Sequence, residues 1–337
     1  MNKVDAAIAD SIIANSINLF RLTASEQRKA AVIIERMKRD LIAELASNGN
    51  LTLLNKRQIK QLISSAEKII LDYYIDLHLG IGETLDDLVD HEIAATTKAF
   101  TAIDIGYVLP TQAIIKSLSS DLIIQGSPSK DWWAAQGEGL SFKFAAQVRQ
   151  AIASGESKLK VIDRILPVIE TSKRGAYALV HTSIQTVANN TRLETFRANA
   201  DVIDGVEQLS TLDGHTSTVC VAYSGGKWNL DGVPIKGTTL AFNGGPPRHW
   251  NCRSVLVPIL KPLPGFDLPP GTRASDEGQI SATITFDKFL EGKTEQYQNE
   301  LLGKGRAQLW RDGKITLKDL LNQSGRPLTL KQLKAKY

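Results

Sequence analysis

Only two of the 337 residues are cysteine, Cys220 and Cys252. No disulfide framework can therefore hold this chain together, and its folding fits a reducing compartment. Long apolar runs are missing as well: no stretch approaches the roughly 20 residues that a membrane-spanning helix needs. Asp5 and Asp10 fall where a signal peptide would carry its uninterrupted apolar core. These absences predict a soluble chain with no membrane anchor. Charge of one sign is not in excess either, since a formal net charge of +4 is too small to mark a globally basic nucleic-acid binder. Disorder is excluded by what is present: 42% hydrophobic against 23% charged residues is an ordinary globular balance. The length allows two or three domains, each able to bury its own core.

The first half reads as helix. Thr23 to Glu26 has the spacing of a capping box, and Val32, Ile33, Met37, Leu41 and Leu45 recur behind it at helical intervals until Asn48-Gly49. A second helix is predicted from Asn55, with Ile59, Leu62, Ile63, Ala66, Ile70, Tyr73 and Leu77 on one face and a stop at Gly80 to Gly82. A third runs from Asp86 to Phe100. Another opens at Pro110-Thr111 and closes at Gly126. The segment that begins at Trp132-Trp133 and runs to Ala153 places the Trp pair in a core. A short helix from Ser157 to Leu166 should stop at Pro167, and a longer one spans Arg174 to Asn199. The latter mixes Ala176, Val180, Val187 and Phe196 with His181, Thr182, Asn189, Asn190 and Arg192. Buried polar side chains need partners, so this face is expected to hydrogen-bond to the loops that follow.

Beyond Asp204-Gly205 the pattern changes to short alternating runs broken by Gly, Asn and Asp. These predict antiparallel strands at Gly205 to Leu212, Cys220 to Tyr223, Thr238 to Phe242 and Ser254 to Ile259. Both cysteines and two of the five histidines lie in this block, which reads TLDGHTSTVC and then, after a Gly-rich insert, GGPPRHWNCRSVLVP. Asp213, His215, Cys220, His249 and Cys252 fall at the predicted strand ends.

The order LD-x-H-T-x-x-V-C followed by PP-x-H-x-N-C-R resembles the signature block of the Mu F-type head morphogenesis proteins of tailed bacteriophages. The helix YALVHTSIQTVANN (Tyr177 to Asn190) is similar to the family's helix just upstream, and the run from Phe286 to Leu321 is similar to the end of phage minor head proteins. The likeness extends over roughly 115–337. Two cysteines of the family pattern are replaced, by Tyr223 and Ser254, and His181-Thr182 stands for the family's Arg-Thr.

Three readings of the block follow. Cys220, His249 and Cys252 supply three ligands of a zinc site, which Asp213 or His215 would complete. Cys220 and Cys252 are alternatively neighbouring core residues, able to form one bond on oxidation, with Asp213 and Arg253 tying loops to backbone amides. The third is a thiol nucleophile, Cys220 with His249 and Asp213, although no nucleophile elbow or oxyanion-hole signature accompanies them. The second is adopted here: a structural knot with no catalytic residue and no cofactor.

Pro258 to Pro270 reads as an extended linker. Beyond it, Thr285 to Leu302 is helical, and Thr316 and Thr329 carry helix-start patterns. From Lys304 onward there are nine basic residues against Asp312 and Asp319. Lys304, Arg306, Arg311, Lys314 and Lys318 are therefore candidates for contact with DNA phosphates or an acidic protein surface, the alternative being a solvated helical face.

The expected fold is α+β, mainly α. A helical region (1–109) leads into a head-morphogenesis domain (110–260) with its β-knot at 200–260, then a Pro-rich linker (261–284) and a basic helical tail (285–337). The resemblance implies a non-enzymatic minor structural head protein of a tailed phage or prophage, made in the host cytoplasm and held inside the capsid near the portal vertex. The portal protein is its implied partner, with the scaffold or major capsid protein and non-specific contact with packaged DNA in addition. Its implied role is in head morphogenesis, DNA packaging or DNA ejection. The competing class is a phage-borne Cys/His hydrolase or ADP-ribosyltransferase-like effector. For the transferase, the chain lacks an Arg…Ser-Thr-Ser…Glu-x-Glu arrangement.

Overall fold

A computed structural model describes residues 3–101, 105–262, 272–281 and 283–336. In chain order, α1 (Lys3–Ser47), a 3-10 turn (Leu51–Leu53) and α2 (Lys56–Thr101) are followed by α3 (Gln112–Ser120). A short hairpin, β1 (Ile123–Ile124) with β2 (Ser127–Pro128), then leads into α4 (Ser129–Ala153) and α5 (Lys158–Ala198). The chemistry-bearing block contributes β3 (Ile203–Leu209), α6 (Thr218–Tyr223), β4 (Lys227–Trp228) and β5 (Val255–Leu260). A hairpin of β6 (Thr272–Ser275) and β7 (Gly278–Ser281) precedes α7 (Phe286–Glu291), α8 (Glu295–Leu302), α9 (Lys304–Arg311), a second 3-10 turn (Leu317–Leu320) and α10 (Leu330–Lys336). The architecture is α+β and mainly α, as expected.

The helices are longer than their local signals suggest. Thr23 and Glu26 cap nothing: both are buried inside α1, because the inward stripe Ile12, Ser16, Leu19, Thr23, Glu26, Ala30, Ile34 continues at helical spacing with no breaker. Gly80 and Gly82 do not stop α2. Each costs about 1 kcal/mol relative to Ala, while Ile81, Leu85 and Leu88 on the same helix are buried. Pro167 lies within α5 rather than ending it. The lost hydrogen bond costs about 3 kcal/mol, and burial of Val161, Ile165 and Ile169 on the flanking turns offsets it.

The described chain forms two compact units, 20–87 with 119–184, and 1–19 with 88–118 and 185–337. Their limits differ from the boundaries read along the sequence, since α1, α2 and α5 each contribute to both. In the first unit the core is Ile34, Met37, Leu41 and Leu45 of α1, Leu62, Ala66, Ile70, Tyr74 and Leu77 of α2, and Trp133, Leu140, Phe144 and Val148 of α4. Gly137 allows α4 to approach α2 closely, since a Cβ there would stand 3.2 Å from the Tyr74 Cβ. Trp133 is a core residue as expected. Its neighbour Trp132 is half-buried and donates its indole N–H to the Ile124 carbonyl at 2.7 Å.

The second unit is built on an antiparallel sheet ordered β4-β3-β5, with Val206 opposite Trp228 on one side and Pro258 on the other. All six residues of β5 are buried. A bulge at Ile203/Gly205 lets β3 turn, and Gly205 is required there because a Cβ would overlap the Trp228 carbonyl oxygen. Two predicted strands are absent. Cys220 to Tyr223 is helical, with Ser217 as N-cap, its hydroxyl accepting from the Cys220 amide. Thr238 to Phe242 is loop, its backbone bonds scattered over a turn, a distant loop and a side chain rather than one strand: Thr238 N donates to Ile235 O and Ala241 N to Gln323 O, each at 3.1 Å, and Leu240 O accepts from Trp228 Nε1 at 2.8 Å.

Most of the Pro-rich linker, 263–271, lies outside the described residues. The β6–β7 hairpin that follows was not legible in the sequence. Phe286, Phe289, Leu290, Leu302, Ile315, Leu320 and Leu333 of the C-terminal segment share one apolar cluster with Val206, Trp228 and Leu256. The Thr316 capping box is present, and Thr329 and Gln332 exchange the reciprocal bonds of a second.

Candidate functional site

The site assembles from three pieces of chain around the end of β3. The segment after β3 turns at Asp213, whose carboxylate accepts from the His215 amide (3.0 Å) and the Thr216 hydroxyl (3.1 Å). Arg253 then grips the same carboxylate through two parallel bonds, Nη1 to Oδ2 at 2.6 Å and Nη2 to Oδ1 at 2.7 Å. The turn before α6 is thereby tied to the start of β5. His215 is exposed and contributes only its backbone amide to this tie.

Ser217 caps α6 and so places Cys220 one turn in, pointing at the turn His249–Cys252. That turn is closed by the Cys252 amide on the His249 carbonyl at 3.2 Å, with Asn251 at a φ of 60°. The result is a cluster of three: Cys220 Sγ lies 3.5 Å from Cys252 Sγ and 3.2 Å from His249 Nε2, and Ser217 Oγ is 2.7 Å from the same nitrogen. Neither cysteine is in a disulfide, both are buried, and His249 is half-buried. His249 Nδ1 is 2.8 Å from the Trp250 carbonyl. A carbonyl only accepts, so Nδ1 carries the proton and the lone pair of Nε2 faces Cys220 and Ser217.

The two thiols are not equivalent. Contact with Cys252 pulls the Cys220 thiol down to about 7 against the opposing effect of burial, helped by the Ser254 and Ser217 hydroxyls and the Arg248 charge. Cys252 is pushed well above its ordinary value by Cys220 and by burial. The pair titrates as a unit, one proton leaving readily and the second held. Beneath it, Ser210 Oγ donates to the Cys220 carbonyl at 2.8 Å and meets Ser254 Oγ at 2.9 Å. Asn189 on α5 gives and takes one bond each with the backbone of Ser254 and Leu256. The polar face of α5 thus hydrogen-bonds to the later loops, as the sequence implied.

Of the predicted residues, Cys220, His249 and Cys252 converge, and Asp213 pairs with Arg253 instead. No Cys–His–Asp triad forms, because both Asp213 oxygens are held by Arg253 and His249 Nδ1 by a carbonyl. Cys220 is also only 2% exposed, which closes it to a substrate. Tyr223 and Ser254, which replace cysteines of the phage pattern, are both buried and hydrogen-bonded, Tyr223 to the Ala241 carbonyl at 3.0 Å.

The sequence did not single out Ser210, Ser217, Arg248 or Arg273. Arg248 lies 3.7 Å over the Tyr223 ring and donates to Gln208 at 2.9 Å. Buried Arg273 reaches Ser224 Oγ (2.8 Å) and the Ile284 carbonyl (3.0 Å), and burial lowers its pKa to about 10. Ser217 alone had a local signal, a hydroxyl three residues before Cys220.

In the C-terminal segment Arg306 and Arg311 bind within the fold. Arg306 donates to the Leu328 carbonyl, and Arg311 reaches Glu295, Gln298 and Asn299. Lys304, Lys314 and Lys318 are exposed. Lys318 lines a cleft of about 660 Å3 together with Asp319 and Lys336, so the charge there is mixed.

The Asp213–Arg253 tie carries a pH signature. Burial raises the Asp213 carboxyl, but hydrogen bonds from Arg253, its charge, the Thr216 hydroxyl and the His215 amide outweigh that and hold it below its ordinary 3.8. The stability it contributes is complete above that ordinary value and is lost as pH falls through the depressed folded value. Asp213→Asn is expected to flatten the acid limb of melting temperature between about pH 5 and pH 2. An acid limb identical to wild type would show that the tie contributes nothing.

The site is thus a buried, cross-tied polar knot on a small sheet within a mainly helical chain, and neither of its thiols is open to solvent. Residues 143–257, from within α4 through the first half of β5, match the family described as phage Mu protein F like protein. The likeness to Mu F-type phage head proteins read from the sequence is therefore shown over this segment, which contains every residue of the knot. Comparison with curated proteins and with solved structures finds no match.

Proposed function

We propose that the protein is a minor structural head protein of a tailed phage or prophage, acting without catalysis in head morphogenesis, DNA packaging or DNA ejection. The observation that carries this reading is the Mu F-like match over 143–257. It is supported by the way the block's reactive side chains are used: Asp213 is bound to Arg253 and Cys220 is buried. In this reading the protein works in the capsid interior against the portal, after synthesis in the host cytoplasm. Scaffold or major capsid protein are further partners. Exposed Lys304, Lys314 and Lys318 are offered to packaged DNA or an acidic protein face.

The test is co-expression with the portal protein encoded in the same gene cluster. The expected result is a complex that survives affinity purification and size exclusion, and loss of particle yield or infectivity when the gene is deleted. Absence of a complex under conditions where the portal assembles into rings would overturn the portal assignment.

A further inference from the structure

We propose that Cys220, His249 and Cys252 bind one zinc ion, with the fourth coordination position beside the Ser217 hydroxyl. The inference stands on the knot's geometry and does not depend on the portal reading. The three ligand atoms lie within 4.8 Å of one another. Tetrahedral zinc with ordinary bond lengths holds two sulfurs about 3.8 Å apart, and a sulfur and a nitrogen about 3.5 Å apart. Cys220 Sγ stands 3.5 Å from Cys252 Sγ and 3.2 Å from His249 Nε2, so these two pairs need spread by only a few tenths of an ångström, and the third pair lies within the same 4.8 Å.

The imidazole is oriented as a ligand should be. Its Nδ1–H is engaged by the Trp250 carbonyl, which leaves the Nε2 lone pair directed into the cluster. The backbone is equally prepared. His249 and Cys252 converge from one closed turn, and Cys220 comes from the first turn of a helix capped by Ser217.

Charge argues in the same direction. Two thiolates, a neutral imidazole and a dication sum to zero, so the assembly can be buried without an uncompensated charge. Two sulfurs with one nitrogen is a donor set that favours zinc over the hard cations. Asp213 and His215 are not ligands: the first is held by Arg253 and the second is exposed. Ser217 Oγ, 2.7 Å from Nε2, lies on the half-buried side and either ligates directly or holds a bound water. The ion would join α6 to the 249–252 turn, fixing the two loops that bracket β3.

The experiment is metal analysis of the full chain expressed with zinc supplementation and purified under reducing conditions without chelator. One zinc per chain is expected, and exchange with cobalt should give tetrahedral d–d bands with sulfur-to-cobalt charge transfer. His249→Asn and Cys252→Ser should each fall to a tenth of that content or less, with far-UV circular dichroism checking the fold. His215→Ala should keep full content, and a chelator should lower the wild-type melting temperature. Wild-type protein with less than a tenth of an equivalent of zinc and no cobalt charge-transfer band, its cysteines titrating as free thiols or recovered as a disulfide, overturns the proposal. Loss of zinc in His215→Ala overturns the ligand set.

Discussion

Replacing Arg192 by Met is expected to destabilise its unit by about 3–5 kcal/mol, one of the two strongest effects the structure implies. Arg192 Nε lies 2.7 Å from Glu92 Oε2, and neither side chain has any exposure. The other carboxylate oxygen accepts from Asn15 at 2.6 Å, and Asn15 in turn meets His91 at 3.0 Å. Helices α1, α2 and α5 are thus joined by one polar chain inside an apolar packing. Removing the arginine leaves the Glu92 carboxylate buried against a methionine, with Asn15 as its one remaining partner among the described residues. Among the described residues the two terminal nitrogens of Arg192 have no hydrogen-bond partner, so the pair is not fully satisfied even when intact. For that reason the double replacement Arg192→Met with Glu92→Leu is expected to recover most of the loss, or to exceed wild type. Urea denaturation of the two single variants and the double variant measures the coupling. A single Arg192→Met variant within about 1 kcal/mol of wild type would show that the pair is not holding these helices.

Trp228→Ala is expected to cost about 3–5 kcal/mol. The indole is fully buried, between Tyr223 (ring centroids 5.9 Å apart) and Phe242 (5.5 Å), and its N–H serves the Leu240 carbonyl at 2.8 Å. Three separate pieces of chain meet on this one side chain: α6, β4 and the loop before the His249 turn. Truncation opens a cavity where all three lose contact and also orphans a buried carbonyl. Trp228→Phe separates the two effects, because it keeps most of the volume and loses only the hydrogen bond, at about 1–3 kcal/mol. Loss of near-ultraviolet circular dichroism together with an early unfolding midpoint is the expected observation for the alanine variant. A midpoint equal to that of Trp228→Phe would show that the volume of the ring contributes nothing.

Local patterns identified some elements well and others badly, for separable reasons. The stripe through Met37, Leu41 and Leu45, and that through Leu62, Ala66, Ile70 and Leu77, matched buried helix faces, because periodicity is a property of the segment itself. The breaks were misplaced at Thr23, Gly80 and Pro167. A cap, a glycine or a proline shifts the helix balance by only about 1–3 kcal/mol, and burial of the flanking turns is of the same size or greater. Val32 was assigned inward and is 53% exposed, since the α1 face is set by Ile34 rather than by its neighbours. Cys220 to Tyr223 alternates poorly as a strand and became a helix once Ser217 capped it.

The identity of the knot residues was legible in the sequence, down to the order Asp213, Cys220, His249, Cys252, Arg253. So was the Mu F-like character of the segment that holds them, because a residue order survives without any knowledge of distance. What only the tertiary structure decided is which of those residues touch. Asp213 and His249 were equally available to Cys220 on paper. Folding gave the carboxylate to Arg253 and the imidazole to the thiols, because β3 and β5 pair in a register that brings the two ends of the block together. Register and long-range pairing depend on the sum of many buried contacts, and no single stretch of sequence contains that sum.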